Sequence, residues 1–257
     1  MRARAERLAA AVLVAALALT GCTDGAKPSS SSGAPATSSA APVATDPASV
    51  FKAAVAKTNG VALSFTIDSD LGALGQMQGD GASDPAKKAT AYKAELLTPD
   101  RKIDISAVLV SPDLYLQVTG ITTDRWAHLD VTKVKSLSKL GLDATGSPTG
   151  LGALPGEIVT VTQTGPGTFS GTLDKTKNPV AAGAGATEAL KSVPFEATVD
   201  ANGYVTQLVT HTPPLGSAPA SSTTAKFANF GSKTIKIERP DSSTVEQAPD
   251  SLYQTLQ

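Results

Sequence analysis

Short runs that alternate strictly between apolar and polar residues recur along most of this chain, and a two-residue period is incompatible with helix. Val61, Leu63, Phe65 and Ile67 alternate with Ala62, Ser64, Thr66 and Asp68. Ile103, Ile105, Ala107 and Leu109 repeat the pattern, as do Leu114, Leu116 and Val118, then Phe169, Gly171 and Leu173, then Phe195, Ala197 and Val199. Ile235 and Ile237 form a last, short run. Such runs read as strands with one buried face. Turn chemistry lies between them: Thr98-Pro99-Asp100, Ser111-Pro112-Asp113, and Asn202-Gly203, whose residues tolerate positive φ. Short connections make neighbouring strands antiparallel, and the pattern allows about eleven of them.

Helical spacing appears in few places. Asp46-Pro47 is a helix start, Gly60 a stop, and Val50, Phe51, Ala54 and Val55 form an apolar face between them. A second helix is expected after Asp130, where Val131, Val134, Leu137 and Leu140 recur, and a weaker Ala-rich one around residues 181–191. A large sheet with few helices must hide one face. The expected fold is therefore α+β, a large curved antiparallel sheet (a half-barrel) wrapped over the helices rather than a closed barrel. The Gly-rich stretches Gly146–Gly156 and Gly183–Gly185 read as linkers, and residues 240–257 as a polar tail.

The N-terminus constrains location. Arg2, Arg4 and Arg7 precede an uncharged run from Leu8 to Leu19, too short to span a bilayer, which takes roughly 20 apolar residues. It reads as a signal peptide over residues 1–21. Leu19-Thr20-Gly21-Cys22 then resembles the bacterial lipobox, in which small residues precede the cysteine that receives the diacylglycerol and fatty acyl (palmitate-type) chains. Cys22 is the chain's single cysteine, so it has no internal disulfide partner, and acylation explains its presence. Residues 23–45, rich in Ser, Ala, Pro and Thr, cannot bury enough surface to order themselves and form a stalk. As a coil, this stalk spans on the order of 25–30 Å. The expected location is the outer face of the cell membrane, with residues 46–239 as one domain held there by the acyl anchor.

Chemistry is sparse. Neither His128 nor His211 has a partner at metal-ligand spacing. No serine sits in a convincing nucleophile motif; Ser136-Leu137-Ser138-Lys139 fits an ordinary helix surface. Asp68 and Asp70 lie at a strand end, and no calcium loop is present. Without residues 1–21, 19 basic and 22 acidic residues leave a net charge of −3, with no basic patch for nucleic acid. No enzyme activity, cofactor or metal is expected. The apolar fraction is 41% but aromatics make up only 4%, so a core built mainly of aliphatic side chains is expected. Trp126 fits either a core position or the rim of an apolar pocket.

Three passages resemble actinobacterial lipoproteins of the LppX/LprG type. They are Leu114–Val118 followed by Arg125-Trp126-Ala127-His128-Leu129-Asp130, then Val193–Asp200 with Asn202-Gly203, and Phe227-Ala228-Asn229-Phe230-Gly231 with Ile235-Lys236-Ile237. That family is similar in turn to the LolA/LolB carriers. The resemblance implies a LolA-like sheet over helices and a cavity for a lipid or lipoglycan to be bound and transferred within the cell envelope. The candidate lining is Leu63, Phe65, Ile103, Ile105, Leu116, Trp126 and Phe195 on strands, capped by Val50, Phe51 and Leu137 on helices. The alternative is a filled core in a module that binds an envelope transporter or other protein.

Overall fold

The computed structural model describes residues 46–134, 142, 147–178, 188–216 and 218–255. Cys22, the signal and stalk segments and Leu137 lie outside them. Helix α1 spans Pro47–Asn59. The carboxylate of Asp46 accepts from the backbone N–H groups of Ala48 and Ser49, satisfying donors that the first turn leaves free, and Gly60 closes the last turn.

Twelve strands follow: β1 Leu63–Asp70, β2 Gln76–Asp84, β3 Ala89–Leu97, β4 Lys102–Val110, β5 Asp113–Val118 and β6 Trp126–Asp130; then β7 Ile158–Gly165, β8 Thr168–Leu173, β9 Val193–Val199, β10 Val205–Thr212, β11 Ser221–Ala228 and β12 Val245–Gln247. They form one sheet in the order β12-β6-β5-β4-β3-β2-β1-β11-β10-β9-β8-β7. Two antiparallel meanders thus meet where β1 pairs with β11, Phe65 opposite Phe227. Only β12 runs parallel to its neighbour, β6. The sheet is open, because the order ends in β12 on one side and β7 on the other. Its strand number exceeds the expected eleven, and the added pairings include runs without clear alternation, such as β2 and β11.

Alternation sets one apolar face. Leu63, Phe65 and Ile67 are buried on β1, and the register carries that face through Gly81, Tyr92, Ala107, Leu116 and Ala127. Two cores form on it. The first joins α1 to β1 and β8–β11 through Phe51, Val55, Phe169, Phe195, Leu208 and Phe227. The second gathers Leu109, Leu114, Leu116, Ala127 and Leu129 against Ala248, Leu252 and Tyr253. Thr58 docks α1 to the sheet: its buried hydroxyl donates to Ala54 O (2.8 Å) and accepts from Val205 N (2.9 Å).

Several expectations are corrected here. Residues after Pro240 are not a free polar tail. Val245–Gln247 form β12, and a short helix, Asp250–Thr255, follows. Ala248 N donates to His128 O, and the Tyr253 hydroxyl accepts from Asp130 N. Polar side chains conceal this because the segment docks through its backbone and three apolar residues. Ile235 and Ile237 join no strand, since β11 ends at Ala228 and its neighbours on both sides are already paired. Gly146–Gly156 is more than a linker: Leu151 and Leu154 are fully buried, and Leu154–Glu157 forms a one-turn helix, α2. The helix expected from Val131 starts as a three-residue 3-10 turn and Val134 is already extended. Leu140, like Leu137, lies outside the described residues. Of the Ala-rich helix, Glu188–Ser192 is a 3-10 turn.

Candidate functional site

The apolar face is not uniformly covered. Under α1 it is solid: the Phe51 ring lies 5.3 Å from that of Phe195 and 5.4 Å from that of Phe169. Val50 packs against this core, half-buried. Leu116 is buried in the second core. Between the two cores lies a pocket of about 110 Å³ lined by Phe65, Ile67, Met77, Tyr92, Ile105 and Pro148. Beside it, Leu63 lines a narrower crevice with Leu151 and Phe227.

Cross-strand pairing builds the pocket. Ile67, Gly79, Ala94, Ile105 and Val118 form one row across β1–β5, and Ser69, Met77, Leu96 and Ile103 form the next. Both rows share the face of Phe65, because residues two apart on a strand point the same way. Met77, Ala94, Leu96, Ile103 and Ile105 are only partly buried. Glycine opens the floor. A Cβ built on Gly81 would meet Phe65 Cζ at 2.6 Å and come still closer to the Ala91 carbonyl, so only glycine lets that ring lie across β2. Burial raises the Tyr92 phenol to about 12, since the phenolate would lose its water.

Of the candidate lining residues, the structure thus brings Phe65 and Ile105 together at the pocket, with Ile103 on the adjoining row. Trp126 stands elsewhere. Ala127 and Leu129 face the second core, so Trp126, His128 and Asp130 point to the opposite side of the sheet. Sequence reading missed Met77, Tyr92 and Pro148. Met77 lies on a Gly- and Asp-rich strand without alternation, and Pro148 in a stretch that reads as linker. Tyr92 was findable, because Thr90, Tyr92, Ala94 and Leu96 share one face of β3.

The other face carries a larger but polar groove, about 740 Å³, lined by residues such as Thr66, Asp68, Asp80, Lys93, Asp104 and Lys226. Lys102 bridges Glu95 and Asp104 at its edge. On the same side, His128 is held at both ring nitrogens. Gln247 Nε2 donates to Nδ1 (3.1 Å), so Nε2 carries the proton and donates to Asp113 (2.8 Å), which also binds Arg239 (2.7 Å). With Tyr115 stacked on the imidazole at 5.1 Å, this arrangement clamps the C-terminal segment against β5 and β6. Among the described residues, no group of three His, Cys, Asp or Glu side chains is placed to hold a metal ion, and no helix is long and apolar enough to cross a membrane.

Fold and site define a mostly β protein, an open twelve-stranded sheet with a few helices and a small apolar pocket on its covered face. No family model matches the chain, and no curated protein matches it. Among solved structures it is similar to a LolA superfamily protein from Nitrosomonas europaea, with a TM-score of 0.28 and 8% identity, over 82% of this chain and 98% of that one. A likeness of that size carries no argument about function.

Proposed function

We propose that this chain is a non-enzymatic lipoprotein of the cell envelope, anchored through acylated Cys22 to the outer face of the membrane, that binds and passes on a lipid or lipoglycan. One observation carries the proposal: a half-covered apolar strip, Met77, Leu96 and Ile103, leads into the pocket walled by Phe65, Tyr92 and Ile105. A part-covered apolar strip beside a core suits contact with an apolar ligand. At about 110 Å³ the pocket takes a short length of one alkyl chain, well under the roughly 300–1,000 Å³ of a site that engulfs a whole ligand. The rest of the chain would lie along the strip. The resemblance to LppX/LprG lipoproteins supports the same reading. It is carried by β5, β6, β9 and the Asn202-Gly203 hairpin, while the Ile235–Ile237 element departs from it.

Native mass spectrometry with lipid extraction tests this on the chain purified from a related host. Expected is an acyl lipid at close to one per chain, lost when Ile105→Glu places a charge in the pocket. A ligand-free mass that takes up no added phospholipid would favour the second reading, a module that binds another envelope protein. The packing of Phe51 between Phe169 and Phe195 is the observation on that side, because it shows much of the covered face to be filled.

A further inference from the structure

Every strongly exposed large apolar side chain among the described residues lies at one end of the sheet. Leu74 is 55% exposed, Leu97 44%, Ile121 69% and Val159 54%. The register places the β1–β2, β3–β4 and β5–β6 loops at that end, together with the start of β7. The opposite end, with the Pro112 and Asn202-Gly203 turns, has none of them.

Two of these side chains are presented by turns that hydrogen bonds hold closed. Leu74 N donates to Leu71 O, Leu71 N to Gly75 O, and Asp70 accepts from Gly72 N. Ile121 N and Thr122 N both donate to Val118 O, and the Thr122 hydroxyl accepts from Val118 N. The exposed Leu and Ile are therefore fixed features of ordered loops. Formal charge among them cancels: Asp70, Asp100 and Asp124 offset Arg101, Lys102 and Arg125. The half-covered strip of Met77, Leu96 and Ile103 opens at this same end, since those residues sit beside the three loops.

We infer that this end of the sheet touches a bilayer, with Leu74 and Ile121 entering the interface so that an alkyl chain passes from the membrane onto the strip. The inference rests on the proposed lipid binding and deepens it. Separate apolar tips with charges between them suit a fluid surface that closes around each tip, whereas a rigid protein partner calls for a continuous patch. The chain outside the structure agrees. The expected stalk, residues 23–45 behind an acylated Cys22, would as a coil of about 25–30 Å keep the domain near the membrane surface. Because the local charge cancels, contact depends on apolar insertion, so phosphatidylcholine and anionic vesicles serve alike.

The test uses the full chain with Cys22→Ser, which removes the anchor and leaves no other thiol. Ile121→Cys in this background carries an environment-sensitive nitrobenzoxadiazole label; Asn202→Cys, at the opposite end, is the control. With phosphatidylcholine vesicles, and with vesicles containing phosphatidylglycerol, emission at 121 is expected to rise several-fold and shift to the blue, and at 202 to stay unchanged. Leu74→Glu with Ile121→Glu is expected to lower vesicle partitioning at least tenfold in cosedimentation. Equal responses at both labels, no response at either, binding to anionic vesicles alone, or self-association without vesicle contact would overturn the inference. Lipid extraction from the same chain separates the two ideas. Bound cargo without vesicle contact defeats this inference only, and vesicle contact without cargo defeats the binding reading only.

Discussion

Phe65 and Gly81 face each other across β1 and β2, and the ring occupies the space where any side chain at position 81 would begin. Phe195 and Gly171 repeat the relationship between β9 and β8, where a Cβ on Gly171 would meet Phe195 Cε1 at 2.8 Å. A strand glycine lacks side-chain packing, and the neighbouring aromatic ring restores it while sealing the backbone from water. Gly81→Ala is expected to destabilise the fold by about 1–3 kcal/mol through overpacking. Phe65→Leu in the same chain should recover part of that loss but not all, because the Ala91 carbonyl also crowds the site. Urea denaturation of the two single variants and the double variant measures both effects.

Thr58 is the polar link between α1 and β10. Thr58→Val keeps the shape and removes the oxygen, leaving Val205 N–H buried without an acceptor. The expected loss is about 1–3 kcal/mol. Hydrogen exchange at Val205 should accelerate more than at its neighbours on β10, which a general loss of stability would not produce.

Glu157 is buried at 1% exposure and binds Lys175 (2.7 Å) and Asn178 (2.8 Å), tying α2 to the turn after β8. Lys175→Ala strips the counter-charge from a carboxylate that has little water, at a cost of about 3–5 kcal/mol. Adding Glu157→Gln should restore much of it, since the neutral amide needs no cation. Thermal melts of the pair decide this: equal loss in the single and double variants would show that the ion pair contributes only packing.

Tyr92 gives the fold an alkaline limit. Tyrosine in the unfolded chain ionises near 10.0, and in the fold at about 12. Between these values the folded state keeps a proton that the unfolded state has lost. Stability therefore falls as pH rises through this window, by on the order of 2 kcal/mol. Tyr92→Phe should be less sensitive to pH between 10 and 12 when both proteins are unfolded by urea across that range. An unchanged slope would mean that the phenol reaches water.

Much of the sheet was legible in the chain because burial of one face imposes a local period. Leu63, Phe65 and Ile67 need no distant information to be read as one side of a strand, and Asp46-Pro47 and Gly60 bound α1 by chemistry confined to its own ends. β2 and β11 were hidden for the opposite reason. Gln76–Asp84 and Ser221–Ala228 have weak alternation of their own and become strands by filling places between strongly patterned neighbours. Docking of the last residues likewise depends on the free edge of β6, which nothing within Val245–Gln247 announces.

The site divides along the same line. Composition and period identified Phe65 and Ile105 as inward-facing apolar residues, and the N-terminal pattern makes Cys22 the expected position of an anchor. Which inward residues meet in a solid core and which border a gap was decided by register and by the placement of α1, neither of which is local. Phe51 and Phe195 fill the space between them because the helix lies over β8 and β9. Phe65 and Ile105 border a pocket because α1 packs chiefly toward β7 and β10, and among the described residues Pro148 lies over them in part. Trp126 shows the limit most plainly: one strand position separates the covered face from the open one, and pairing between strands, absent from any linear pattern, sets which is which.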